Sequence, residues 1–128
     1  MGGTGDVDMT RNISFALTTE QVRARAKTVT RRFGWWFLKP GDVLCAVEKG
    51  MGLKKGEKVV RLGLIRVVSV RRESASAICR YATPNVEVSK EGFPGMLASA
   101  FVGMLCKANG KAADDDVNRI EFEYLHTP

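Results

Sequence analysis

The pattern of apolar and polar residues predicts a chain of short strands joined by turns. Apolar and β-branched residues, which favour strands, are concentrated in residues 13–17, 43–47, 59–70, 76–82 and 120–124. In the last segment the apolar Ile120 and Phe122 flank Glu121, which is the alternation of a strand with one buried face. Gly63 interrupts the longest segment, so we expect that strand to bend or bulge there.

Two helices are predicted on different signals. The first begins at Glu20, after a Thr18-Thr19 pair that is typical of a helix N-cap region, and ends near Ala26. The second covers residues 96–107, where apolar side chains recur at helical spacing at Leu97, Phe101, Val102, Met104 and Leu105.

Turns and loops are predicted from glycine, proline and acidic residues. The Pro-Gly dipeptide in residues 39–42 indicates a turn, and residues 50–57 form a glycine-rich loop between strands. Residues 83–95 hold two prolines and two glycines and are predicted to be a loop. Asp114–Asp116 is predicted to be a solvated acidic turn.

The order of these elements, β-α-β-β-β-α-β, predicts an α+β fold. Short strands with glycine-containing bends indicate a small closed or half-closed β-barrel of five to six strands with two peripheral helices. A chain of 128 residues has the size of one domain, which we place at residues 11–128. We expect residues 1–10, which are rich in glycine and aspartate, to be a flexible N-terminal extension.

The charge of the chain is unevenly distributed. The formal net charge is +6, and residues 20–72 hold 14 of the 20 basic residues but only four of the 14 acidic ones. Such one-sided positive charge attracts phosphate-bearing partners. We therefore expect a nucleotide or nucleic acid partner, and the alternative is a solvated surface that keeps the protein soluble.

The residue inventory argues against several classes of protein. No apolar run approaches the length of a membrane span and no signal peptide is visible, so we expect a cytoplasmic protein that does not contact membranes. Three widely spaced cysteines, Cys45, Cys79 and Cys106, make a disulfide framework or zinc ribbon improbable. His126 is the single histidine, so we expect no metal, no cofactor and no histidine-based catalytic triad.

The glycine-rich loop does not match a phosphate-binding motif. Its glycine spacing misses the dinucleotide fingerprint by one residue, and Glu57 stands where a phosphate loop has lysine. We interpret it as a hairpin loop. The alternative is a mobile lid whose Lys54 and Lys55 contact phosphates.

The segment 25–32 is the strongest candidate for chemistry. It holds four cations, Arg25, Lys27, Arg31 and Arg32. If Lys27 and Thr30 face one pocket, the neighbouring cations lower the pKa of Lys27, and the amine then acts as a general base toward the Thr30 hydroxyl. The alternative is a basic surface turn.

Aromatic residues follow this segment directly. Trp35 and Trp36 beside cations suit stacking on a nucleobase, which is worth ~1–3 kcal/mol per base. The alternative is that one tryptophan is in the core and the other covers the mouth of the barrel. Tyr81 and Phe93 are further stacking candidates.

The segment 27–32, Lys-Thr-Val-Thr-Arg-Arg, resembles the signature of the ASCH domain, a relative of the PUA fold. That signature is G-x-K-x-x-E-x-R. Lys27 and Arg32 match it, whereas Arg25 stands at the glycine and Thr30 at the glutamate. The segment is also similar to the K-T-I-T-I-R of small bacterial ASCH enzymes that deacetylate N4-acetylcytidine. Later landmarks of those enzymes resemble residues 39–44 and 120–122.

The resemblance implies a PUA-like barrel, a bacterial or phage source and a metal-independent amidohydrolase. It implies Lys27, Thr30 and a later glutamate as the catalytic set. Glu91 is the best match for that glutamate, and Glu87 is the alternative. The residues expected to bind substrate or nucleic acid are Arg25, Arg31, Arg32, Trp35, Trp36, Lys54 and Lys55.

Two other functions remain open on the sequence. The first is a non-catalytic RNA-binding module, or a ribonuclease, that uses the same basic cleft. The second is a domain that accompanies another protein and has no small substrate.

Overall fold

The structure, a computed structural model, describes residues 10–49 and 55–126. These residues form the strands β1 (Arg11–Ser14), β2 (Val29–Arg32), β3 (Val43–Val47), β4 (Arg61–Ser74) and β5 (Asp116–Tyr124). They also form the helices α1 (Thr19–Arg23), α2 (Pro84–Lys90) and α3 (Ala98–Asn109), and a 3₁₀ helix at Ala75–Arg80. Most of the extension predicted at residues 1–10, and Lys54 of the glycine-rich loop, lie outside the described residues.

The five strands form one curved sheet in the order β1-β3-β4-β5-β2. β1 pairs with β3 in parallel, and the other pairings are antiparallel. The pairing shifts register beside Gly63, which has a φ of 137°, and again between Val67 and Ser69. The predicted α+β class, a strand number within the predicted five to six, and the irregularity near Gly63 are confirmed. The strand β2 was not among the predicted segments. The sheet is a half-barrel, with β1 and β2 as its edges.

The predicted strand at 76–82 is wrong, because this segment is the 3₁₀ helix Ala75–Arg80. Ala75 and Ile78 lie three residues apart, which places both apolar side chains on one face of a 3₁₀ turn, and both are buried. Backbone bonds from Ala75 N to Asp115 O and from Ser76 N to Ala113 O, both 2.9 Å, tie the start of this turn to the loop before β5.

The predicted loop at 83–95 contains the helix α2, so the described chain has three α-helices rather than two. Pro84 is compatible with this helix because it lies at the first turn, where a missing N–H costs nothing. Val88 is buried against the other helices. Glu87 and Glu91 are four residues apart and therefore project from the same face, toward the sheet.

The two faces of the sheet bury two separate cores. Along β5, Ile120 and Phe122 point into the barrel core, and the centroids of the Phe15 and Phe122 rings lie 5.8 Å apart there. Val117 points to the opposite face, where it packs with the 3₁₀ helix, α2 and α3. Each fully buried large apolar side chain contributes ~1.5–3 kcal/mol. The two cores fix the sheet between the barrel interior and the helices.

Candidate functional site

A tight turn after α1 directs Lys27 into the protein. Arg25 has a φ of 58°, in the left-handed region that favours glycine. Ala26 N donates to Gln21 O at 2.9 Å, which closes the turn. Lys27 follows and is only 3% exposed. Arg25 occupies the glycine position of the motif that the segment resembles. The positive φ at this position explains why the motif has glycine there.

The end of α2 is docked on the same turn. Thr28 N donates to Lys90 O at 2.9 Å, and Gln21 Nε2 donates to Gly92 O at 3.2 Å. Gly92 has a φ of 103°, and a Cβ atom there would lie 3.0 Å from Gln21 Cγ. The close approach therefore requires glycine, and it carries Glu91 to Lys27.

Lys27 and Glu91 form a buried ion pair. Lys27 Nζ donates to Glu91 Oε1 at 2.8 Å and to Glu91 O at 2.6 Å, and each side chain is 3% exposed. Burial lowers the pKa of Lys27, although Glu91 opposes this effect, and the nearby Arg32 and Arg31 add to the lowering. The amine of Lys27 therefore gives up its proton more readily than an ordinary lysine.

Thr30 is held by Arg32 rather than by Lys27. Arg32 Nε donates to Thr30 Oγ1 at 3.0 Å, and Arg32 Nη2 donates to Ser14 O at 2.7 Å. The second bond joins the two edge strands β1 and β2. Burial lowers the pKa of Arg32 to about 10, against the effect of Glu91, so the guanidinium stays charged at neutral pH. Thr30 is 3% exposed, and it lines a cavity that Lys27 also lines.

The cavity has a volume of about 230 Å³ and lies at the gap between β1 and β2. Its polar wall includes Lys27, Thr30, Arg31, Arg32 and Glu91, together with Ser14, Thr18 and Asn109. Its apolar wall includes Phe15, Leu17, Phe93, Phe101, Met104 and Leu105. Pockets for drug-sized ligands begin at roughly 300 Å³, so this cavity suits a fragment the size of a base or an acyl group.

Arg31 has a different place from the one expected of a substrate-binding residue. Its side chain is 0% exposed and donates to Glu91 Oε2 at 2.9 Å, Glu87 Oε2 at 2.7 Å and Glu73 Oε2 at 3.1 Å. It also donates to Tyr81 OH at 3.1 Å. Burial opposes the charge, but Glu91 and Glu87 raise the pKa of Arg31. Its guanidinium is therefore committed to protein partners.

The cluster around Arg31 extends to β5. Arg119 lies opposite Arg31 in the β2–β5 pairing, and Arg119 Nε donates to Glu87 Oε2 at 2.5 Å. Hydrogen bonds from Arg119 and Arg31 lower the pKa of Glu87, although burial acts in the other direction. Glu91 therefore contacts Lys27, while Glu87 contacts the two arginines. The roles of Glu73 and Arg119 were missed by the sequence reasoning. The four-residue spacing of Glu87 and Glu91 was the available signal, and it required the helix.

The other predicted site residues do not line this cavity. The Arg25 guanidinium lies 5.6 Å from the ring centroid of Tyr124, and Lys55 is exposed. Trp35 packs against the barrel core, whereas Trp36 is 46% exposed and lies under Arg72. Among the stacking candidates Phe93 lines the cavity, and the Tyr81 hydroxyl belongs to the cluster around Arg31.

The described residues hold neither a grouped set of metal ligands nor a helix suited to a membrane. In residues 10–49 and 55–126 no three or more His, Cys, Asp or Glu side chains are grouped as a metal site would require. Over the same two ranges no helix has the length and apolar character needed to cross a membrane.

Comparisons with known proteins give one structural likeness. No family model matches the chain, and no curated protein matches it. The fold is similar to the crystal structure of an ASCH domain from Lactobacillus crispatus JV V101, with a TM-score of 0.49 and 12% identity. The match covers 89% of this chain and 79% of that chain.

Proposed function

We propose that the protein is an amidohydrolase that removes an acyl group from a modified pyrimidine nucleoside such as N4-acetylcytidine. The proposal rests on one observation: the buried amine of Lys27, the hydroxyl of Thr30 and the carboxylate of Glu91 line the same small cavity. Hydrolysis of an amide needs a nucleophile, a group that moves protons and a stabiliser of the oxyanion. The polar wall supplies residue types for all three.

In the first half of the proposed reaction, Thr30 is the nucleophile. Its Oγ1 forms a bond to the acyl carbon while its proton moves to the neutral amine of Lys27. Arg32 already donates to Thr30 Oγ1, and its guanidinium stabilises the negative charge that develops on the acyl oxygen. The C–N bond then breaks, and the Lys27 ammonium returns the proton to the departing exocyclic amine. The acyl group remains on Thr30 as an ester.

In the second half, water replaces the amine. A water molecule attacks the ester carbon and gives its proton to Lys27. The bond to Thr30 Oγ1 breaks, and Lys27 returns the proton to that oxygen. The products are the nucleoside with a free amine and a carboxylic acid. Glu91 keeps the Lys27 amine at the cavity wall throughout.

The apolar wall supports a flat, uncharged substrate fragment. Phe15 and Phe93 offer ring surfaces to a base, and residues of α3 exclude water from the reacting carbonyl. Exclusion of water strengthens the interactions of Arg32 and Lys27 with developing charge.

The test is incubation of the purified chain with N4-acetylcytidine and measurement of cytidine by chromatography. We expect turnover by the unchanged chain and a loss of roughly 10²- to 10⁴-fold in kcat in Lys27→Met, because general acid–base catalysis contributes that much. Thr30→Val removes the hydroxyl and is expected to abolish turnover. Thr30→Ser keeps a hydroxyl and is expected to retain part of the turnover.

Matched controls exist for both residues. Lys107→Met changes an exposed lysine near the end of α3, and Thr28→Val changes a threonine two residues from Thr30 that does not line the cavity. Both controls should keep full activity. Equal turnover by Lys27→Met and the unchanged chain would refute the proposal, and so would the absence of turnover in a folded chain.

A second candidate function is the binding of single-stranded RNA, and one observation favours it. Two exposed rings carry arginine guanidinium groups: Arg72 lies 4.5 Å from the Trp36 ring centroid, and Arg11 lies 4.7 Å from that of Phe37. Rings beside cations suit stacked bases and phosphates. This surface is separate from the cavity.

Salt dependence separates the two functions. Affinity for single-stranded RNA should fall with a log–log slope of about −0.7 per phosphate contact. Hydrolysis of a neutral nucleoside should respond little to salt. Cleavage of the RNA, visible as shortened strands, would indicate a ribonuclease instead of a binding module.

A further inference from the structure

We propose that Arg31 is a positioning residue of this site, which fixes the carboxylate of Glu91 so that Glu91 holds the amine of Lys27 at the cavity. The proposal rests on the proposed function for its kinetic consequences. Its structural part concerns the geometry of Lys27 and Glu91 and is tested separately.

The two oxygens of Glu91 have different partners. Oε1 accepts from Lys27 Nζ at 2.8 Å, and Oε2 accepts from Arg31 Nη1 at 2.9 Å. A carboxylate held at one oxygen alone rotates about its last torsion. Because Arg31 holds the second oxygen, the plane of the Glu91 carboxylate is defined, and Lys27 has one direction in which to donate.

Arg31 is itself fixed from other sides. Glu73 accepts from Arg31 Nε and Nη2, at 3.2 and 3.1 Å, and Glu87 accepts from Nη2 at 2.7 Å. Glu87 is in turn held by Arg119. A planar guanidinium directs its donors in a rigid fork, which a lysine amine does not reproduce. Arg31 therefore reaches Glu91 from a position set by Glu73 of β4 and Glu87 of α2, whereas the bonds of Arg119 go to Glu87.

The charges of this buried cluster compensate one another. The three cations Lys27, Arg31 and Arg119 meet three carboxylates, from Glu73, Glu87 and Glu91. Unpaired buried charges are costly, so loss of any one member is expected to destabilise the folded chain.

Arg31 and Lys27 share the carboxylate of Glu91, and this sharing affects the pKa of Lys27. The charged groups that face Lys27 are Glu91 from the end of α2, and Arg31 and Arg32 from β2. From β5, the Tyr124 hydroxyl donates to the Lys27 carbonyl at 2.5 Å. Glu91 raises the pKa of Lys27 and Arg31 lowers it. Loss of the Arg31 guanidinium therefore leaves more of the Glu91 charge to Lys27, and the amine holds its proton more firmly.

The test compares Arg31→Lys with Arg119→Lys. Both variants keep the charge and remove a guanidinium that bonds Glu87, but only Arg31→Lys loses the fork that spans Glu87 and Glu91. One readout is the pH titration of the Lys27 Cε resonance by NMR, assigned by its loss in Lys27→Met. The other is kcat and KM for N4-acetylcytidine.

We expect Arg31→Lys to raise the pKa of Lys27, because a lysine amine does not span Glu87 and Glu91 and leaves the Glu91 carboxylate to Lys27. It should also lower kcat by about 10- to 100-fold with little change in KM, as expected when a reacting group is misplaced. Arg119→Lys should lower the melting temperature but leave the Lys27 titration and kcat close to those of the unchanged chain. If Arg31→Lys does not fold, Arg31→Met combined with Glu73→Gln removes one positive and one negative charge, and it leaves the pairs Lys27–Glu91 and Arg119–Glu87 in place. The same shift in Lys27 is expected there.

The outcomes separate the two proposals. A folded Arg31 variant with unchanged Lys27 titration and unchanged kcat overturns the positioning role. An equal effect of Arg119→Lys on both readouts also overturns it, because the role is then only structural. If the unchanged chain lacks hydrolase activity but Lys27 shifts in the Arg31 variant alone, the proposed function is wrong and the positioning of Glu91 is supported.

Discussion

Arginine, acidic and aromatic side chains lie together in two regions of this protein, with opposite exposure. In the buried cluster beside the cavity, Arg31, Glu87 and Glu91 are nearly inaccessible, and each group has several partners. On the outer face, the side chain of Arg72 is 66% exposed and pairs with Asp116 at 2.8 Å, above an exposed Trp36.

Exposure decides how much the same residue types contribute to stability. In water an ion pair gains little, since solvent screens the charges and two long side chains lose freedom. In the interior each charge depends on its partners, because removal of one leaves the other desolvated and unpaired. The residues of the buried cluster should therefore respond strongly to substitution, and those of the outer face weakly.

The largest effect on stability is expected from Glu91→Ala. The substitution leaves Lys27 and Arg31 without a shared carboxylate in the interior, and breaking a buried pair costs about 3–5 kcal/mol. The measurement is the free energy of unfolding in urea. The matched control is Glu123→Ala, since Glu123 is 52% exposed and pairs with Arg66. A loss at Glu91 no larger than at Glu123 would contradict the comparison.

A pH-dependent effect of intermediate size is expected from Glu87. Arg119 and Arg31 lower the pKa of Glu87 below the ordinary value of 4.5, despite burial. The unfolded chain therefore binds more protons than the folded one in the window below 4.5. The contribution of Glu87 to stability is fully present above that pH and is lost as the pH falls through the lowered pKa.

The measurement is urea unfolding of the unchanged chain and of Glu87→Gln from pH 6 down to pH 3. The advantage of the unchanged chain should shrink as the pH decreases. Glu48→Gln, which changes an exposed partner of Arg23, is the matched surface substitution and should cost less stability than Glu87→Gln at pH 6. A difference at Glu87 that grows toward low pH would show that the direction given for its pKa is wrong.

The partners within the buried cluster could not be predicted from the sequence. The strands β1, β3, β4 and β5 and the helix α3 followed from local periodicity. A common pocket for Lys27 and Thr30 was only a hypothesis on the sequence, with a basic surface turn as the alternative. Arg31 was expected to bind a ligand, because it stands among other cations in the sequence. Its partners Glu73, Glu87 and Glu91 are 42, 56 and 60 residues away, and no local pattern connects them.

The helix α2 was missed for a related reason. Pro84, Gly92, Pro94 and Gly95 signal a loop, and they outweigh the seven residues of helix that lie between Thr83 and Glu91. Tertiary packing of Val88 stabilises a helix whose propensity is weak. Without that helix, the four-residue spacing of Glu87 and Glu91 had no meaning.

A smaller effect on the free energy of unfolding, a gain instead of a loss, is expected at the turn between α1 and Lys27. Arg25 has a positive φ that costs a non-glycine residue roughly 1–2 kcal/mol. Arg25→Gly removes that strain and loses the contact with Tyr124, so a net gain of about 0.5–1 kcal/mol in the free energy of unfolding is expected. Arg23→Gly, inside α1, should lose about 1 kcal/mol instead. A loss of stability in both variants would mean that the turn is not strained.

The smallest effect on stability is expected on the outer face. Arg72→Ala removes an exposed ion pair and a stacked guanidinium, together worth about 1 kcal/mol or less, and added salt should reduce the difference further. Hydrolysis of N4-acetylcytidine should be unchanged, because Arg72 does not line the cavity. A change in hydrolysis as large as that of Lys27→Met would remove the distinction between the two regions. A fall in affinity for single-stranded RNA, with stability and hydrolysis preserved, would instead assign the outer face a binding function of its own.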